Sequence, residues 1–413
     1  MEAIIITIGD ELLIGHTVDT NAAFIASALN SIGISVKRKY IISDKKDEIS
    51  THVKQALSEV SIVLTTGGLG PTNDDITKKV LCELFNTELV LSEEALMQVK
   101  QFLEIRNLPL NKNNLGQAYI PQACTLLTNK YGTAPGMLFK KSESILISMP
   151  GVPHEMISLM TDEVLPAIKS LFSLDRIIHK VITVGGIAEA VLAEKLSEWE
   201  NKLPEYIHLA YLPSPGVIKL RLSVYNSNDN HIHEVEHQAN KLYKIIPDNI
   251  ISMEGLSLTE VLGKILNQKT LTIGTAESCT GGAIASEITS IAGSSDYFKG
   301  SVVAYHNSIK ENILNVSKSD LHTYGAVSKQ VAESMAKGIA ELLKTDISIA
   351  VTGIAGPGGG TSEKPVGTVW IAISIKGKVL SKKYKFGNRR DTNIRRTVNA
   401  GILFLINEIK RMK

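Results

Sequence analysis

Only three cysteines occur in 413 residues, Cys82, Cys124 and Cys279. They are too scattered for a disulfide framework or a zinc site, and a reducing cytoplasm suits them. No apolar run approaches the ~20 residues that a membrane helix needs. The first residues show no basic segment and no cleavage site, so no secretory signal is expected. The formal net charge is only +2, and no basic stripe interleaved with aromatics stands out. Both points argue against nucleic acid or an anionic membrane as a partner. With 44% hydrophobic and 21% charged residues the composition is that of an ordinary globular protein. The length suggests two or three domains.

Residues 1–170 read as one α/β domain. Ala3 to Ile8 is a continuous apolar run, as in a strand buried on both faces. A helix then starts near Thr20-Asn21 and stops at Gly33. Strand Ile34–Ile42, helix Lys46–Ser58 and strand Ser61–Thr65 follow, which predicts βαβ units around a parallel sheet. The third strand runs into Thr66-Gly67-Gly68-Leu69-Gly70-Pro71-Thr72. Glycines at a strand's carboxyl end, before a helix at Ile76, suit a phosphate. No Gly-Lys-Ser/Thr follows, which excludes a Walker loop. Asp74 and Asp75, with Asp10 and Glu11 beyond the first strand, offer hard oxygens to Mg²⁺.

These motifs, with Asp19-Thr20-Asn21, Asn129 to Gly136 and Met149 to Met156, resemble the molybdopterin-binding (MoaB/MogA-like) domain of the CinA family. The resemblance implies a three-layer domain with a parallel sheet. It also implies a metal-dependent pyrophosphatase acting on ADP-ribose, with Lys130 on a phosphate. In molybdenum-cofactor proteins the same fold binds a pterin phosphate, and that alternative stays open.

Residues 171–252 read as a small α+β linking domain in the order β-α-β-β-α. His231, His233 and His237 share a helix, but without an H-E-x-x-H pattern a solvated face is the better reading. Gly185-Gly186-Ile187-Ala188-Glu189 carries Ala190 where the family commonly has serine, so this segment is assigned no ligand.

Residues 253–413 hold the densest signal. A strand from Thr270 to Ile273 opens into Thr275-Ala276-Glu277-Ser278-Cys279-Thr280-Gly281-Gly282, and a helix follows from Ala283. Strand, turn and helix start present a serine beside backbone N–H groups that can hold an oxyanion; alone, such a serine is more often a helix cap. A nucleophilic serine needs a base, and Lys310 serves if burial leaves it neutral. Tyr305 could relay the proton. Thr352 to Thr361, with five glycines, follows a strand and suits an anion. Arg390 and Arg395 could fork onto a phosphate.

Ala276 to Gly282, Tyr305-x-Asn307-x-x-Lys310 and Thr352 to Gly359 together resemble the CinA C-terminal domain and its relatives, the nicotinamide mononucleotide (NMN) deamidases. The resemblance implies Ser278 as nucleophile, with Lys310 and Tyr305 handling protons. Glu277, Thr280, Gly281, Gly282, Asn307, Thr352, Gly353, Gly356, Gly358 and Gly359 would surround the substrate, with arginine help. No cofactor is expected at this centre, and a divalent metal only at the first. The domain type resembles dimer formers. The expected function is therefore a cytoplasmic nucleotide-recycling hydrolase with NMN and ADP-ribose as substrates. The alternative from another class is a non-catalytic competence accessory.

Overall fold

The computed structural model describes residues 1–411 except Asn73, Asp74, Asp175 and Asn226. The chain forms two compact units. The first comprises Met1–Ile178 with Val224–Asn228, and the second His179–Ser223 with Asp229–Lys413. The segment read as a linking domain thus lies mostly in the second unit, although it has its own four-stranded sheet.

In the first unit, strand Glu2–Ile8 lies parallel to both Ser35–Ile42 and Ile62–Thr66. Ile62–Thr66 in turn lies parallel to Ser144–Met149. Two antiparallel strands, Gly136–Lys141 and Thr125–Leu127, extend the sheet. From Ala3 to Ile8 the first strand is buried at every position because both its faces are covered. Ala3 and Ile5 pack with Ile25, Leu29 and Met156, while Ile4, Ile6 and Ile8 pack with Ile49, Val53 and Leu81. This is a three-layer arrangement set by the alternation of side chains along a strand. Near the end of this unit a helical stretch is split. Pro153–Leu159 and Leu165–Leu171 flank a π-turn at Met160–Val164, next to Pro166, which has no N–H to donate.

The second unit contains the five-stranded sheet. Ile273–Glu277 lies between parallel neighbours Phe298–Val303 and Ile347–Gly353. The antiparallel strands Thr368–Ile375 and Lys378–Lys385 complete it. One face packs Ile273, Ile349 and Ile371 under the helices Leu258–Lys269 and Arg390–Arg411. The other presents Ala276, Ala350 and Ala372, in register across three strands, to the helix Lys329–Leu343. Small side chains let that helix approach closely. The first strand lies later than the expected Thr270–Ile273. The preceding helix runs on to Lys269 and is closed by Thr270 in the left-handed region, so Thr275, Ala276 and Glu277 are strand residues and not turn residues.

Candidate active site

Three parallel strand ends meet at Ser278. Its N–H donates to Val351 O at 3.0 Å, and the Ala304 N–H donates to Glu277 O at 2.7 Å. The register that aligns Glu277 with Val303 and Val351 therefore brings three loops to one edge, as at the carboxyl ends of open α/β sheets.

Lys310 comes from the short helix Asn307–Asn312 and is 1% exposed. Its Nζ donates to Ser278 Oγ at 3.2 Å, to Ala304 O at 2.6 Å and, more weakly, to Tyr305 O at 3.4 Å. Burial holds this amine below the ordinary lysine range. Among the described residues no carboxylate pairs with it.

Glu277 is not placed to touch a substrate, contrary to expectation. It is fully buried, and its carboxylate accepts from Thr280 Oγ1 at 2.7 Å, Gly282 N at 3.1 Å, Ile284 N at 3.0 Å and Ala285 N at 2.8 Å. An anion here satisfies the orphan donors of the helix start. It also occupies the N–H groups that were expected to hold an oxyanion. Among the described residues only the Cys279 and Thr280 N–H groups of this turn have no acceptor on another residue. Gly281 and Gly282 take φ of +63° and +100°, the conformation that returns the turn to Glu277. Burial pushes the Cys279 thiol up to about 12, which removes it as a nucleophile.

Tyr305 does not reach Ser278 with its hydroxyl. Tyr305 is 61% exposed and its phenol accepts from Arg390 Nη2 at 2.9 Å, while Arg390 Nη1 donates to Gly356 O at 3.0 Å. Arg390 thus ties Tyr305 to the glycine loop. Asn393, not anticipated from sequence, holds the same loop by donating to Ala355 O at 2.9 Å and Gly387 O at 2.8 Å. Thr352 is spent in a bond to Ala326 O at 2.8 Å. Gly353 is a packing glycine, since a Cβ there would stand 2.7 Å from Val369 and 2.9 Å from Thr368 O. Gly356 and Gly359 take positive φ, and Gly358 is exposed in the open part of the loop. Asn307 is exposed at the mouth of this region. Arg395 is exposed and does not join Arg390, because five residues turn a helix by about 140° from a starting direction.

The first unit assembles a second edge. Gly67 N donates to Met149 O at 3.1 Å, and a Cβ on Gly67 would lie 2.1 Å from Ile8 O. Only glycine permits that approach. Thr66, expected on a phosphate, is buried and donates to Pro150 O at 2.9 Å, with Asn21 Nδ2 bracing it at 3.1 Å and reaching Gly151 O at 2.7 Å. Gly68 has φ +66°, and Gly70 lies against Asp75. Thr72 donates to Asp75 through both N–H and hydroxyl. Lys130, expected on a phosphate, pairs with Asp162 at 3.1 Å on the surface.

Asp10 and Glu11 are exposed beyond the first strand, and Asp74 lies outside the described residues. Asp44 joins them unannounced, accepting from Asp10 N at 3.2 Å. Its carboxyl is pushed up by burial and, against the Asp10 N–H, by the charges of Asp10, Glu11 and Asp75. Asp44 follows the second strand as Asp10 follows the first, a signal available in the sequence. Hard oxygens fit Mg²⁺. Among the described residues no three His, Cys, Asp or Glu side chains form a metal cage; Mg²⁺ commonly needs only one or two carboxylates beside substrate phosphates.

Two α/β units, each with polar loops at the carboxyl ends of parallel strands, define the class, and comparison with known proteins agrees. The family described as CinA C-terminal domain matches residues 256–409, and the probable molybdopterin binding domain matches residues 4–170. A CinA-like protein of Flavobacterium psychrophilum is 46% identical over 412 residues, covering 99% of both chains. A putative competence-damage inducible protein of Clostridium acetobutylicum is 36% identical, covering 99% of both. A solved competence/damage-inducible protein from Agrobacterium tumefaciens is 39% identical over 38% of this chain and 98% of its own, with a TM-score of 0.36. The chain belongs to the CinA family. No helix among the described residues is long and apolar enough to cross a membrane.

Proposed function

We propose that the chain is a nucleotide-recycling hydrolase whose C-terminal centre deamidates NMN. The observation that carries this is Lys310 Nζ, buried and, among the described residues, without a counter-ion, 3.2 Å from Ser278 Oγ. A neutral amine has two N–H bonds and one lone pair. With the N–H bonds directed at Ala304 O and Tyr305 O, the lone pair is left for the Ser278 hydroxyl proton. Ser278 Oγ then adds to the carboxamide carbon, and the proton passes from Lys310 to the departing ammonia. Water cleaves the acyl-enzyme by the same route in reverse, releasing nicotinate mononucleotide. The Cys279 and Thr280 N–H groups are the donors available to the oxyanion. The glycine loop and Arg390 suit the phosphate.

At the first unit we assign ADP-ribose hydrolysis. One or two of the carboxylates Asp10, Asp44 and Asp75 would hold a divalent metal beside the substrate, and when bound the metal supplies charge neutralisation to the diphosphate. The backbone at Gly67 and Gly68 gives close access to it.

The test is ammonia release from NMN by wild type and Ser278→Ala. Release by wild type alone supports the assignment. Equal release by both removes Ser278 as nucleophile, and release by neither removes the amidase reading.

A further inference from the structure

The second unit also contains a cavity of about 860 Å³ whose lining includes neither Ser278 nor Lys310. That volume lies within the range of small-molecule sites, roughly 300–1,000 Å³. One wall, from the Gly185–Glu189 turn and the segment before Ile250, carries Glu189 and Asp248. The other, from strand Lys378–Lys385 and the C-terminal helix, carries Lys382, Tyr384, Phe386 and Arg396, together with the ion pair Arg411–Glu408 at 2.6 Å.

Lys382, Tyr384 and Phe386 are two residues apart and share one face. The rings of Tyr384 and Phe386 stack at 5.6 Å and 19°, and Lys382 Nζ stands 5.3 Å from the Tyr384 centroid. Burial pushes the Tyr384 phenol up to about 12, so it is a neutral donor. Among the described residues the Arg396 side chain makes no hydrogen bond or ion pair, and no salt bridge joins Glu189 or Asp248 to Lys382 or Arg396. From Lys376 to Arg396 the sequence has nine Lys and Arg against Asp391 alone. The overall charge of +2 conceals this run, which departs from the expectation that no basic, aromatic-interleaved stretch exists. Around the cavity itself Lys382, Arg396 and Arg411 are matched in number by Glu189, Asp248 and Glu408.

We propose that this cavity is a second ligand site, for a mononucleotide. The base lies on Tyr384 and Phe386, the phosphate on Lys382 and Arg396, and the ribose hydroxyls donate to Glu189 or Asp248. A wholly apolar ligand would leave these charges desolvated without partners. Inorganic phosphate would use the cations and leave the aromatic face and most of the volume empty. Carboxylates are the usual acceptors for ribose hydroxyls.

The experiment uses the full chain carrying Ser278→Ala and photoreactive 8-azido-adenosine monophosphate, with the labelled peptides mapped by mass spectrometry. Label is expected on the segment holding Tyr384 and Phe386 or on the C-terminal helix. Adenosine monophosphate should compete it away and equimolar inorganic phosphate should not. The double variant Lys382→Glu/Arg396→Glu changes two exposed side chains. It should weaken labelling there by about tenfold or more with an unchanged melting temperature. Label confined to the Ser278 loop or to the first unit overturns the proposal, as does undiminished labelling in a folded double variant. Steeply salt-dependent binding of a single-stranded oligonucleotide that adenosine monophosphate cannot displace would reassign the face to nucleic acid and also overturn it.

Discussion

Lys310 and Ser278 stand 3.2 Å apart with Lys310 1% exposed, although 31 residues of chain separate them. Lys310→Met should reduce ammonia release by about 10²–10⁴-fold. Lys310→Arg should fare no better, because a guanidinium does not deprotonate. Steady-state rates on NMN check both. Substantial activity in Lys310→Arg would remove the base assignment.

The pH dependence follows from the same burial. Catalysis needs neutral Lys310, and its pKa is lowered from 10.5. The rate kcat/KM should therefore rise with pH along a limb centred below 10.5. Tyr305→Phe should leave that limb in place, because its phenol bonds Arg390 and not Lys310. A limb that moves in Tyr305→Phe would make Tyr305 the titrating group.

Glu277 is predicted to position the turn. Glu277→Gln keeps the shape but turns an amide donor toward backbone N–H groups, at a cost of about 3 kcal/mol. Deamidation should fall through kcat more than KM, together with the melting temperature. A stable variant with an altered KM alone would restore substrate contact.

Arg390→Ala should detach Tyr305 from the Gly356 loop and raise the KM for NMN by about tenfold, the loss of one charge-assisted contact. Arg395→Ala should change little. Parallel KM measurements separate the two arginines.

Lys78 offers a stability test in the first unit. It is buried, donates to Gln117 O at 3.0 Å and Tyr119 O at 3.2 Å, and burial lowers its pKa to about 8 from 10.5. The native state therefore binds fewer protons than the unfolded chain in that window, so stability rises with pH. Urea unfolding at pH 8 and pH 10 should show wild type gaining on Lys78→Met by on the order of 2 kcal/mol. A constant gap would refute the depressed pKa.

The sequence alone determined the strand–helix alternation and the two loop-bearing edges, while the pairing of Ser278 with Lys310 came from the family resemblance. The first two rest on local signals: apolar periodicity, glycines after strands, and motif spacing. Glu277 could not be assigned from its neighbours. Whether a carboxylate meets a substrate or a helix start depends on where the strand ends, and the helix closing at Thr270 moved that end by four residues, from Ile273 to Glu277. Asp44, Asn393 and the spent hydroxyls of Thr66 and Thr352 likewise depend on partners distant in sequence. The cavity beside Tyr384 exists only because a strand and a helix near the C-terminus face a glycine turn almost two hundred residues earlier. Sequence spacing fixes which groups one element presents. Only packing decides what each group faces, and so whether it is free for chemistry or already satisfied.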